Sequence, residues 1–175
     1  MGKQEPSLAS GSRPRMPLIR EADSGDVGAI VGLWTELIDY HRDLDPDYPP
    51  LPALRETLRS EIQRGLDAEH CDVFVADAAS DRRAGGLVGF LFAELERRPG
   101  AVPVPSTGQV HELWVDPAFR GAGVGRALVA EADAFFAVRG ATRVSVRIEG
   151  SNRAGLEFWG RLGFHERARI MERIR

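Results

Sequence analysis

Apolar residues recur along this chain at two periods, and the switches between them divide it into elements. Ile30, Leu33, Trp34, Leu37 and Ile38, with His41, fall at the spacing of one helical face. The helix they predict starts after ADSGD, where Asp23 or Ser24 can cap it and Asp26 lies in the first turn. It stops in DLDPDYPP, because Pro46, Pro49 and Pro50 cannot continue it. Leu54, Leu58 and Ile62 form the stripe of a second helix, from near Pro52 to Gly65. PLIREA, beginning at Pro17, is a short strand ahead of both.

From Cys71 the pattern becomes that of strands. DVFVADA, a turn at SDRRAGG and LVGFLFAEL predict an antiparallel hairpin. RRPGAVPVPSTG is a loop and QVHELWV a further strand. A helix follows over 124–139, ended by Gly140. TRVSVRI is rich in β-branched residues and predicts a strand, SNRAGLEFWGRLG a short helix closed by Gly163, and FHERARIMERI a final strand. The order reads as an α/β (α+β) single domain over 17–175 with a mixed sheet flanked by helices, after a disordered lead over 1–16.

Composition narrows the partners. The chain has 175 residues, enough to bury a core without staples. Its single cysteine, Cys71, opens an apolar run and reads as a buried thiol in a reducing, cytoplasmic setting. A net charge of -3 with both signs interspersed gives nucleic acid or a membrane surface no basic patch to neutralise. No apolar run approaches the roughly 18 residues of a membrane span. The N-terminal residues lack the apolar core of a secretory signal.

The most informative stretch is WVDPAFRGAGVGRALV. Gly121, Gly123 and Gly125 alternate where a strand gives way to a helix. Glycines there allow positive φ and let a ligand approach amides without intrahelical partners, and the helix dipole favours an anion. Arg120 and Arg126 add cationic donors. No Gly-Lys-Ser/Thr follows, which excludes a nucleotide P-loop, and the GxGxG spacing excludes the dinucleotide fingerprint. What remains is a glycine-rich helix start used for packing, or a site for a different pyrophosphate.

Arg120-Gly-Ala-Gly123-Val-Gly125 resembles the Q/R-x-x-G-x-G/A signature of the GCN5-related N-acetyltransferases, between a strand and a long helix as in that family. A second block, Asn152, Phe158-Trp159 and Gly163-Phe164, resembles the N-x-x-A-x-x-F-Y-x-x-x-G-F pattern. The resemblance covers the chain from Pro17 onward. It implies a splayed mixed sheet that binds acetyl-CoA in the splay and transfers acetyl directly to an amine. Backbone groups of Leu113, Trp114 and Val115 would pair with the pantetheine, and amides of Gly121, Ala122, Gly123, Val124, Gly125 and Arg126 would hold the pyrophosphate beside Arg120. Asn152 would touch the pantetheine or thiol end, or cap its helix, or both. The resemblance also implies a homodimer through the C-terminal strands.

Direct transfer needs no enzyme nucleophile, and no metal is expected. It needs a base, for which His111 and Glu112 are candidates. Regular alternation puts them on opposite faces, His111 with Leu113 and Val115, Glu112 with Trp114, so only one would reach the acceptor. A β-bulge would overturn that parity. Glu94 and Glu96 read as a solvated pair. Tyr40, His41, Asp45 and Tyr48 lie in DYHRDLDPDYP, which covers the acceptor side in similar proteins. Its carboxylates would attract a cationic small-molecule amine, unless they serve only the turn.

Many relatives carry a tyrosine, the general acid for the departing thiolate, where this chain has Trp159. An indole N–H can donate a hydrogen bond but is too weak an acid to give up its proton. Trp159 is therefore expected to pack the pantetheine or the core. Its presence leaves open a silent CoA-binding regulatory module, or a transferase for a longer acyl group or another acceptor.

Overall fold

The computed structural model describes residues 16–48, 53–78, 86–96, 106–171 and 173. Five strands form one sheet in the order β1 (Leu18–Glu21), β2 (Cys71–Asp77), β3 (Leu87–Glu96), β4 (Thr107–Val115) and β5 (Arg143–Val146). Neighbours are antiparallel except β4 and β5, which run parallel. β2 and β3 are near-continuous apolar runs, as strands covered on both faces are. The hairpin turn beyond Ala78, the loop beyond Glu96, and the lead before Met16 lie outside the described residues.

Helices α1 (Val27–Leu44) and α2 (Leu54–Asp67) cover one face. Their Ile30, Leu33, Trp34, Leu37, Leu58 and Ile62 pack on Val73, Val75, Phe90, Phe92 and Trp114. Helix α3 (Val124–Val138) covers the other, where Leu128, Ala132 and Phe136 meet Phe74, Leu91, Leu95 and Val110, and α4 (Arg153–Arg161) joins it through Trp159.

Two predicted details differ. Neither Asp23 nor Ser24 caps α1; Asp26 occupies the cap position without a capping bond from its side chain. Its carboxylate is bound bidentately by Arg20 at 2.6 and 2.9 Å, and the same guanidinium reaches Asp77 at 3.1 Å, tying β1, α1 and the end of β2 together. A charged, planar pair outcompetes a neutral cap for that carboxylate. The expected final strand is also absent: Phe164–Met171 has no ladder, and Ile170 and Met171 are exposed. β-branched and apolar residues favour a strand only where a neighbouring edge accepts their backbone bonds.

The decisive irregularity is in β4. Phe92 pairs with Glu112 and the next residue, Ala93, with Val110, so His111 is an extra residue, a β-bulge. Val110 consequently shares the α3-side core with Leu113 and Val115, although regular alternation would separate them. Just past the bulge the sheet parts. β5 pairs with β4 over Thr107–Val110 and no further.

Candidate functional site

The parting of β4 from β5 leaves a free strand edge. The Asp116 amide donates to Val88 of β3 at 2.8 Å, so by alternation the backbone groups of Trp114 face β3 and those of Leu113 and Val115 face the gap. Of the three residues whose backbone was expected to meet an extended ligand, Trp114 is thus turned away. The Val115 carbonyl accepts from Arg120 Nε at 2.9 Å.

At the end of this edge the chain turns through Pro117–Phe119 into the glycines. Gly121 has φ 76° and Gly123, the cap residue of α3, φ 93°. A side chain at Gly121 would meet nothing within 4 Å, and one at Gly123 only the Met16 Cε. The first bond of α3 runs from Ala127 N–H to the Gly123 carbonyl at 3.0 Å, so the amides of Val124, Gly125 and Arg126 have no intrahelical acceptor. Gly125 serves a different need: a Cβ there would stand 3.2 Å from the Phe158 ring, where α3 and α4 meet. Ala122 and Arg126 are exposed. Arg120 does not fan toward the turn but lies over Trp114 at 4.4 Å and Tyr40 at 5.5 Å, where the ring faces attract its charge.

Across the gap Asn152 caps α4, its Oδ1 accepting from the Gly155 amide at 2.8 Å. The Tyr40 hydroxyl donates to the same oxygen at 3.4 Å, so α1 reaches over to the start of α4. Trp159 is 5% exposed, enclosed by Phe158 and Phe164 with ring centroids at 5.2 and 4.9 Å. It packs the core.

The bulge brings both candidate bases to the α1/α2 side and gives them different fates. Glu112, opposite Phe92, is secluded, and burial raises its carboxyl to about 7. Among the described residues none hydrogen-bonds it. His111 is 40% exposed, lies against Phe92 at 5.5 Å, and pairs with Glu94 at 2.9 Å. Glu94 is therefore engaged, contrary to the expectation of a solvated face.

Two aromatics of α1 extend this face: Tyr40 meets Trp114 of β4 at 5.5 Å, and His41 meets Tyr48 edge to face at 5.3 Å. Trp114 Nε1 donates to Glu36 at 3.1 Å. Burial, then the charges of Glu112 and Glu149, raises the Tyr48 phenol above its ordinary value. Burial lowers His41 despite the opposing pull of Glu149, and its Nδ1 is buried without a partner among the described residues. Asp45 stays with its own turn, accepting from the Asp47 amide at 3.0 Å. Sequence reasoning overlooked Glu149 and Glu36. RIEGSN carries the one signal that existed, an acidic residue three before the Asn152 cap, and the Asn152 amide bonds the Glu149 carbonyl at 2.9 Å. Cys71 is buried, and burial followed by the Glu94 charge raises its thiol, so without a bound cation it is not a nucleophile.

Mycothiol acetyltransferase of Amycolatopsis mediterranei is 36% identical over 140 residues, 79% of this chain and 42% of the relative. That of Salinispora tropica is 39% identical over 82 residues, 46% of this chain and 26% of the relative. The match thus spans between about a quarter and two fifths of the length of these curated relatives. Among solved structures, the BH1408 protein of Bacillus halodurans superposes with a TM-score of 0.78 at 22% identity, covering 90% of this chain and 98% of that one. The aminoglycoside N-acetyltransferase AAC(6')-Iy in complex with CoA does so with 0.66 at 19%, covering 90% and 98%. These two likenesses establish the fold. The model of the acetyltransferase (GNAT) family matches residues 27–164, which take in the parted strands, the glycine turn and the Asn152 helix, and the chain belongs to that family.

Proposed function

We propose that this chain is an acetyl-CoA-dependent N-acetyltransferase that passes acetyl directly to a primary amine of a small cationic substrate. The observation that carries the reading is Glu112, a secluded carboxylate with a proton affinity near neutrality, beside the free edge of β4. A base of that strength can remove a proton from the attacking amine at neutral pH. Acetyl-CoA supplies the acetyl group: the amine nitrogen bonds to its carbonyl carbon, the carbon–sulfur bond breaks, and N-acetyl amine and CoA thiol are the products.

The residues divide the remaining work. Leu113 offers its backbone groups and Val115 its amide to an extended ligand, and an amide there can stabilise negative charge on the thioester oxygen. The amides of Val124 to Arg126, opened by Gly123, suit the pyrophosphate. Tyr40, hydrogen-bonded to Asn152, is the phenol placed to donate to the departing sulfur, a task that Trp159 in its core position does not take up. Glu36, Glu149, itself 3.7 Å from Arg147, and the rings of His41 and Tyr48 supply acidic and aromatic surface for a cationic amine. The name of the aminoglycoside N-acetyltransferase supports that substrate class.

Thiol release from acetyl-CoA, measured over a panel of aminoglycosides, polyamines and amino sugars, tests the reading. Turnover with at least one amine is expected, reduced about 10²–10⁴-fold in Glu112→Gln. CoA-induced thermal stabilisation without turnover on any amine would point instead to a silent binding module. Turnover untouched in the variant would remove Glu112 from the role of base.

A further inference from the structure

We infer that His70, Cys71 and Glu94 bind one soft divalent cation of the Zn²⁺ class, a site separate from the acetyl-transfer residues. One atom of each, an imidazole nitrogen, the Cys71 Sγ and a carboxylate oxygen, lies within 4.8 Å of the others. The ligands of a tetrahedral Zn²⁺ sit roughly 3.5 Å apart, given bonds of about 2.0–2.3 Å, so rotamer-sized adjustments close the cluster.

The backbone assembles this group. Cys71 opens β2 and pairs directly with Glu94 on β3, so both side chains share the α2 face. The His70 carbonyl accepts from the Leu95 amide at 2.7 Å, which anchors the imidazole beside the same strand. The β4 bulge then delivers His111, whose Nε2 is 2.9 Å from Glu94 Oε2, while His70 Nε2 is 3.8 Å from Oε1. His111 thereby orients the carboxylate whose other oxygen faces the cluster, the arrangement by which outer groups hold a metal ligand in place.

The donor set selects the ion. A thiolate and an imidazole favour Zn²⁺ or Co²⁺ over Mg²⁺ and Ca²⁺, which prefer oxygen. Cys71 coordinates as the thiolate, its proton passing to solvent, and thiolate plus carboxylate balance a doubly charged ion. Arg64 Nη1, which donates to the Cys71 Sγ at 3.9 Å, yields that sulfur to the ion and keeps Glu61 as its counter-ion at 2.8 Å. A cavity of about 710 Å³ beside His70 and Glu94, lined as well by Glu69, Leu95, Glu96 and Arg139, opens these two ligands to solvent.

Titration of the full chain with Co²⁺, after dialysis against a chelator, tests the site. One equivalent is expected, with near-ultraviolet thiolate-to-cobalt absorption and the visible bands of an ion held by the three side chains and one water, both erased by Zn²⁺. Cys71→Ser should lose the near-ultraviolet band. His70→Ala and Glu94→Gln should weaken binding at least tenfold, and because His70 is surface-exposed the first of these folds normally. His111→Ala should weaken it by about tenfold through the orientation of Glu94. No saturable binding, or a band that survives Cys71→Ser, or His70→Ala and Glu94→Gln variants that bind as tightly as the parent would overturn the proposal. None of these readouts depends on acetyl transfer.

Discussion

At the scale of single residues the consequential fact is that His111 and Glu112, adjacent in sequence, have opposite environments. Glu112 holds its proton up to about pH 7 because burial disfavours the charge, whereas His111 sits at the surface with Glu94. The pH dependence follows in sign. A base works when ionised, so kcat/KM is expected to rise with pH through about 7, and the rise should vanish in the residual activity of Glu112→Gln. Stability moves the other way. The folded chain holds the Glu112 proton more tightly than the unfolded chain, so this contribution is full below about pH 4.5 and is lost as pH climbs to about 7. Glu112→Gln should therefore be more stable than the parent at pH 8, by on the order of 3 kcal/mol at most, and the gap should close by pH 4. Thermal melts of both proteins at the two pH values check this. Asp72, raised to about 6 chiefly by burial, imposes the same trend on both proteins and cancels in the comparison.

At the scale of elements, the three glycines of one short turn have three environments, and substitution should separate two of them. Gly123→Val places a β-branched residue at φ 93° over open amides. It should weaken CoA binding tenfold or more, and its backbone strain adds a stability loss of about 1–3 kcal/mol. Gly125→Val drives a side chain into the Phe158 ring and should destabilise the fold, by about 1–3 kcal/mol, through the α3–α4 contact. Calorimetric CoA titrations and thermal melts of both variants measure the two effects, and an unchanged CoA affinity in Gly123→Val would deny the turn its anion. The same turn was legible in the sequence because glycine spacing before a helix has a local cause. The bulge was not, since one extra residue in β4 becomes visible only when the register against β3 is known. For the same reason the Cys71–Glu94–His70 group escapes any spacing rule: its members come from a turn and two strands, 24 residues apart at the extremes, and register alone sets them side by side.

At the scale of the whole molecule, a cleft built between parted strands on one side and an aromatic helix on the other should behave as a single binding unit. CoA at a hundred times its dissociation constant is expected to raise stability by about 2.7 kcal/mol, or roughly 5–10 °C for a chain of this size. Differential scanning fluorimetry with CoA reads it directly, and no shift at saturating CoA would argue against the cleft. Tyr40 spans that cleft from α1 to the α4 cap, so an acceptor that displaces it would be felt at both ends.

What the sequence determined by itself was everything with a local cause. The helical stripes, the apolar strands, the glycine turn with positive φ at Gly121 and Gly123, and the Asn152 cap each follow from a few neighbouring residues. So did the family, because its two motifs are local. Tertiary structure decided where long-range pairing assigns partners: that Asp26 serves Arg20 instead of its own helix, that Phe164–Met171 finds no ladder, and that Trp159 belongs to the core. It also decided that Glu112 is the half-buried carboxyl whose charge burial disfavours, and His111 the surface imidazole. Proton affinity depends on which face a side chain enters and how deeply, and the β4 bulge sets both through the register with β3.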